Sequence, residues 1–185
     1  MGLFPKLKKE QLENIQVDYG IVIINYGEED ARRLGPIRGG AEFTAHAEIR
    51  DIEFDEALGD TVGMQYIDRI HANLKFAVLD ASSENLALTM PQADFNATTK
   101  VIKNNKGGII PAGKYLKNIT LFAKVVKGGY KKITLYNTIN KADLVWNTAP
   151  KAEGAIPMEM HAAFNPEDET NQLYEIQDIE AMPAA

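Results

Sequence analysis

Between residues 41 and 50 the sequence AEFTAHAEIR alternates strictly. Phe43, Ala45, Ala47 and Ile49 fall on one side, and Thr44, His46, Glu48 and Arg50 on the other. A period of two marks a β-strand with one covered face and one wet face. After Arg50 the apolar positions become Ile52 and Phe54, three residues on from Ile49 instead of two. One extra residue in the alternation predicts a β-bulge near Arg50–Asp51, with Glu53 and Asp55 continuing the polar face beyond it. A turn around ALGDTVG, residues 57–63, leads to a second alternating stretch. There Ile70, Ala72, Leu74, Phe76 and Val78 are interleaved with Arg69, His71, Asn73, Lys75 and Ala77. The two stretches predict a long bent hairpin over residues 41–56 and 63–79, each strand well beyond the usual five or six residues.

Elsewhere the pattern is again mostly β. GIVIINYG, residues 20–27, is a short apolar run between glycines and reads as a buried strand. YLKNITLFAKVV and YKKITLYN flank Lys127-Gly128-Gly129, a hairpin with Ile119, Leu121, Ala123 and Val125 on one face. ADLVWN and AIPMEMHAAF read as two further strands, the proline of the second suiting an edge position. SSENLALTMP is the one clear helix: Ser82 or Ser83 can cap it, Leu86 and Met90 share a face, and Pro91 stops it. These elements predict an all-β fold with one short helix, a β-sandwich or barrel over residues 18–164. An N-terminal arm over 1–17 and an acidic C-terminal arm over 165–185 would flank it, both ordering on assembly.

Length and composition add limits. A chain of 185 residues fits one domain that buries roughly 70% of its extended surface. Cysteine is absent, so there is neither a disulfide framework nor a thiolate metal site. No apolar run is long enough to span a bilayer as a helix, and the start MGLFPKLKKEQ lacks the apolar core of a secretory signal. Gly2 is followed by Lys6 where myristoylation wants Ser or Thr. The net charge of −6 hides a blocked arrangement: residues 1–40, 41–96, 97–152 and 153–185 carry 0, −8, +10 and −8. Such blocks are either solvated surface or self-complementary patches that set register between copies.

Catalytic chemistry finds little support. His46, His71 and His161 have no ligand-like local spacing, although His46 and His71 could meet across the hairpin. There is no nucleophile elbow, and the Gly-Gly pairs at Gly39, Gly107 and Gly128 lack phosphate-loop context. The carboxylates Glu48, Glu53 and Asp55 sit beside other charges on a polar strand face, not in the apolar cleft that glycosidase chemistry needs. Lysines between Lys100 and Lys132 have few aromatic neighbours, and a pI near 5.1 does not suit a protein that holds DNA. The expectation is a non-enzymatic protein with no catalytic residue, cofactor or metal.

The block RGGAEFTAHAEIRDIEFDEALGDTVGMQYIDRIHANLKFAVLDASSENLAL resembles the major tail tube proteins of long-tailed bacteriophages. The likeness rests on the Gly-Gly-x-x-Phe start at Gly39, Gly40 and Phe43, then EIRDIEFDEALG from Glu48, then Arg69, Ile70 and Leu74, then Glu84, Asn85 and Leu86 in the helix. KNITLFAKV from Lys117, TLYNTI from Thr134 and IPMEMHAAFNP from Ile156 extend it, so that it covers about residues 17–166. The resemblance implies hexameric rings that stack into a tube for DNA ejection, the long bulged hairpins of all copies joining in one ring-wide barrel. It implies a virion tail location after assembly in the host cytoplasm, and no membrane role. Its partners would be further copies, tape-measure, tail terminator and distal tail proteins, and DNA in passage.

On that implication Thr44, His46, Glu48, Arg50, Glu53, Asp55, Arg69, His71, Asn73 and Lys75 would face the lumen. Carboxylates there would repel phosphates over a Debye length of about 8 Å, with Arg50, Arg69, His71 and Lys75 moderating the charge through cross-strand pairs. Glu28, Glu29 and Asp30, or the acidic arm, would meet Lys100, Lys103 and Lys106 of a neighbour as ring contacts. Two other readings compete. One is a non-enzymatic β-sandwich binding module, for capsid decoration or carbohydrate, using Trp146, Tyr136 and Tyr130. The other is the inner-tube protein of a contractile tail or secretion system.

Overall fold

The computed structural model describes residues 9, 13–17, 20–55, 59–105, 107–148, 153–167 and 172–182. The apolar run IVII becomes β1 (Ile21–Ile24), with Val22, Ile23 and Ile24 buried. It is apolar on both faces because it is an inner strand, held between β2 (Arg32–Arg33) and the later β7 (Leu116–Lys124). β7 pairs in turn with β8 (Tyr130–Asn140) around the expected turn, where Gly128 and Gly129 take φ of +92° and +86°. Thr120 and Thr134, both buried, satisfy each other across this pair at 3.1 Å.

The long hairpin forms as β3 (Ile37–Asp51) and β4 (Gln65–Val78). β4 pairs on its other side with β9 (Ile156–His161), which meets the end of β8. β8 therefore belongs to two antiparallel sheets, β2-β1-β7-β8 and β8-β9-β4-β3, and the core lies between them. Val22, Ile24, Ile119, Leu121 and Leu135 face Leu74, Val78, Met158 and Met160 there. Among the described residues this is the expected all-β architecture with one short helix. The proline of β9 finds its place without a ladder loss. β8 reaches β9 only at Met160 and His161, so Pro157 is paired with β4 alone.

The helix α1 (Ser83–Thr89) is capped by Ser82, whose hydroxyl accepts from the Asn85 N–H. Asn85 is fully buried and ties three segments together. Its side-chain amide donates to the Leu34 and Asp80 carbonyls at 2.9 and 3.1 Å and to the Asp80 carboxylate at 3.2 Å, and accepts from Arg32 at 2.8 Å. After it come a small hairpin, β5 (Ala93–Asn96) and β6 (Val101–Asn104), and a 3-10 turn at Ala112–Lys114.

Several expectations are corrected. The bulge is not at Arg50–Asp51, where Arg50 opposes Tyr66 and Asp51 opposes Gln65 in register. The extra residue is Asp68, on β4: Glu48 opposes Arg69 and Ile49 opposes Ile67. The three-residue step from Ile49 to Ile52 marks the end of β3 instead, while the same step from Ile67 to Ile70 is the true bulge signature. A second irregularity lies at Gly39 and Gly40, whose φ values of +77° and +83° accommodate two unpaired residues between Arg38 and Ala41. ADLVWN forms no strand; Val145 and Trp146 are exposed, and the Asn140 side chain turns the chain by donating to Ala142 O.

The C-terminal segment is not a separate arm. Its β10 (Tyr174–Ile179) pairs with β8 over six residues, and Leu173 is buried in the core. The acidic composition concealed a strand whose charges match basic β8. Asp178 pairs with Lys131, Lys132 donates to Gln177 at 3.1 Å, and Tyr136 donates to Glu175 at 2.9 Å. Of the expected N-terminal arm, residues 13–17 lie along the β7–β8 turn through Val17 N–H to Lys124 O, Val126 N–H to Ile15 O and Lys127 N–H to Glu13 O, at 2.9–3.0 Å. Most of residues 1–12, together with 168–171 and 183–185 of the expected C-terminal arm, are outside the described residues.

Candidate assembly surface on the long ribbon

Register decides what each face of the ribbon carries. On the apolar back, Phe43 opposes Leu74, Ala45 opposes Ala72 and Ala47 opposes Ile70, and the Asp68 bulge returns Ile67 to that face opposite Ile49. On the polar front, Glu42 opposes Lys75, Thr44 opposes Asn73, His46 opposes His71 and Glu48 opposes Arg69. β9 extends the front, with His161 opposite Asn73 and Glu159 opposite Lys75.

Burial divides the ribbon in two. Near its base, Ala72, Leu74, Phe76 and Val78 are buried and Phe43 packs edge-on against Tyr174 at 5.4 Å between ring centres. From Gln65 to His71 every residue of β4 is exposed, as are most of β3 from Thr44 onward. Ile49, Ile67 and Ile70 are 61%, 52% and 39% exposed, and the tip adds Ile52, Phe54, Val62 and Met64. With Tyr66, eight of the eighteen exposed large hydrophobic residues among the described residues fall in this one projection, which concentrates them into a patch.

The backbone there is also unpartnered among the described residues. β3 is the last strand of its sheet, so its outer edge is open for all fifteen residues. β9 covers β4 from Asn73 to Val78, and the Ala162 N–H reaches Ala72 O at 2.9 Å, so residues 65–71 are open on that side too. The distal half is thus a two-stranded ribbon about 25 Å long with two open edges and a bare apolar back. An isolated ribbon of this kind is at best marginally stable in water and is a template for pairing with another chain.

The front is an ion-pair ladder rather than an anionic wall. Glu48 accepts from His71 at 3.2 Å and lies 4.0 Å from Arg69. Arg50 pairs with Asp68 at 3.1 Å and stacks over the Tyr66 ring at 5.4 Å. Glu159 accepts from Asn73 at 2.7 Å and His161 at 3.0 Å, with Lys75 at 3.4 Å. Partial burial pushes the Glu159 carboxyl up, but Asn73, Lys75 and His161 together hold it below the usual carboxylate range. Burial, helped by Lys141, lowers His161, against the pull of Glu159. Asp68, Glu159 and His161 join this face in addition to the predicted residues; the alternation Met158-Glu159-Met160-His161 carries the signal for the last two.

The predicted site residues separate accordingly. Thr44, His46, Glu48, Arg50, Arg69, His71, Asn73 and Lys75 share the front. Glu53 and Asp55 do not, because β3 ends at Asp51 and leaves both in the tip loop. The expected ring-contact charges have partners within the chain: Glu28 with Lys117, Asp30 with the Asn25 amide at 2.6 Å, Lys100 with Glu84, and Lys103 opposite Asp94. Glu29 is exposed, and Lys106 is outside the described residues.

Trp146, Tyr136 and Tyr130 do not converge. Tyr130 and Tyr136 lie six residues apart on β8, roughly 20 Å, and the groove beside Trp146 is lined by Leu79, Val145 and Ile156 without either tyrosine. Among the described residues no three His, Asp or Glu side chains are grouped to hold a metal, and no helix is long and apolar enough to cross a membrane. No family model matches the chain, and no curated protein matches it.

Proposed function

We propose that this chain is a self-assembling structural subunit whose distal β3–β4 ribbon is completed by neighbouring copies. The observation that carries the reading is the ribbon itself: two open edges and an exposed apolar back on one projection. The open edges are closed if β3 of one copy pairs with a free strand edge of the next, and the apolar back is covered if it packs against the neighbouring bodies. That contact is heterologous, so it propagates until a ring closes.

The particular assembly we infer is the tail tube of a long-tailed bacteriophage. The ribbon's sheet holds four strands, β3, β4, β9 and the end of β8. Six copies contributing four strands each would close a barrel about 45–50 Å across, at roughly 4.8 Å spacing and 40° tilt. The apolar back would face the sandwich bodies and the hydrophilic front would line the channel. Side chains that mostly satisfy one another offer a passing duplex few free cations, so counterion release gives little grip. Tape-measure, terminator and distal tail proteins would meet the tube along its bore and at its ends.

Negative-stain microscopy of concentrated protein tests this directly. Rings or hollow tubes are expected, and they should vanish when Ile49 and Ile67 are both changed to Asp. A wild-type chain that stays monomeric at every concentration and salt condition would overturn the reading.

A further inference from the structure

All three histidines of the chain lie on one face of one sheet, spread over three adjacent strands. His46 and His71 are direct cross-strand partners, and His161 sits opposite Asn73, two residues along β4 from His71. We propose that this front is an acid-switched surface for duplex DNA: indifferent to phosphates near neutral pH, and binding them once its imidazoles are protonated. The choice of DNA as the polyanion rests on the channel reading above; the switch rests on the face alone.

Charge on the face is balanced without the histidines. β3 contributes Glu42, Glu48 and Arg50, and β4 contributes Asp68, Arg69 and Lys75. From β9 comes Glu159, and Lys141, just past β8, acts on His161. Arg38 and Glu153 at the base pair with each other at 3.5 Å. Imidazole is the ordinary side chain whose charge changes in the mildly acidic range, so three protons convert a balanced face to one of about +3 per copy.

The geometry adds to that count. Glu48 is shared between His71 and Arg69, and Glu159 between His161, Lys75 and Asn73. A protonated His71 takes Glu48 as its ion-pair partner and frees Arg69, which is 73% exposed, to reach a phosphate. A protonated His161 does the same for Lys75, half of whose side chain is in water. Burial and Lys141 place the His161 proton toward the acid end of the range.

The test is fluorescence anisotropy of a short labelled DNA duplex with the full chain, titrated with salt at about pH 7.5 and about pH 5.5. Binding is expected only at the lower pH, at least tenfold stronger there, and the log–log salt slope should steepen by about 2–3 per copy. His46→Gln, His71→Gln and His161→Gln together should abolish the gain. His161 is partly buried, so the exposed pair His46→Gln with His71→Gln serves if the triple variant does not fold, and should remove about two thirds of the added slope. Glu48→Gln should bring binding to neutral pH. Equal binding at both pH values, or an undiminished gain in the histidine variants, would overturn the proposal. Microscopy of the same samples keeps the two readings apart: acid-dependent binding without tubes rejects the channel and leaves the switch standing.

Discussion

In the proximal half of the ribbon Leu74 and Val78 are 0% exposed, while in the distal half Ile49 and Ile67 are 61% and 52% exposed on the same face of the same two strands. Each half alternates apolar and polar residues and is antiparallel, the proximal one with its irregularity at Gly39–Gly40 and the distal one with the Asp68 bulge. The difference is the surroundings. β9 and the opposite sheet, β10 included, cover the proximal half, and nothing among the described residues covers the distal one. Burial of an aliphatic side chain contributes about 1.5–3 kcal/mol, so the proximal half stabilises the subunit. In the proposed assembly the distal half would contribute the same kind of energy to a contact between copies.

The largest test of that contrast is the double change Ile49→Asp with Ile67→Asp. Assembly should be lost entirely in sedimentation or microscopy, while the melting curve of the monomer stays within about 0.5 kcal/mol of wild type, as expected for surface substitutions. Leu74→Ala should do the opposite. It leaves a cavity in the core and should destabilise the subunit by about 2–5 kcal/mol in urea, with assembly weakened only as far as folded subunit is lost. If both variants unfold the chain equally, the two halves are one cooperative unit and the comparison fails. Next in size is Asn85→Ala, far from the ribbon. It strands the buried Leu34 carbonyl, removes the Asp80 carbonyl's partner and should lower stability by about 1–3 kcal/mol.

Much of this division was legible in the residues, and the unread part has physical reasons. Alternation placed Phe43, Ile49, Leu74 and Val78 on one face correctly, because a period of two depends only on strand geometry. It could not say which of them is covered, since that depends on where β9 ends. The bulge lies on β4 and not on β3 as expected, because a three-residue step arises equally from an inserted residue, as at Asp68, and from a strand that has ended, as after Asp51. β10 was hidden by its charge. Residues read as a solvated acidic arm are a strand whose Asp178 answers Lys131, a match visible only once the two are paired. Blocked charge predicts complementarity between copies, whereas the pairs that form here, such as Lys131 with Asp178, lie inside the chain.

The smallest effect concerns the boundary between the halves, where Glu159 and His161 of β9 meet Asn73 and Lys75 of β4. Both titrating groups are held below their ordinary ranges: Glu159 by Asn73, Lys75 and His161 overriding its partial burial, His161 by burial and Lys141. For each, the unfolded chain then takes up its proton more readily than the folded one. The stability they contribute is full above the ordinary range of the group and is lost as pH falls through the folded value. For His161 that loss begins below about pH 6.5, and for Glu159 below about pH 4.5. Roughly a quarter of each side chain remains in water, 27% and 25%, so the effect is smaller than that of Leu74 or Asn85. Urea midpoints measured from pH 7.5 to 5 should fall with acid in the wild type and flatten in His161→Gln. A midpoint that instead rises toward pH 5 would mean the native fold favours the protonated ring. Glu159 would then be the stronger influence on His161, and the junction would tighten as the front becomes basic.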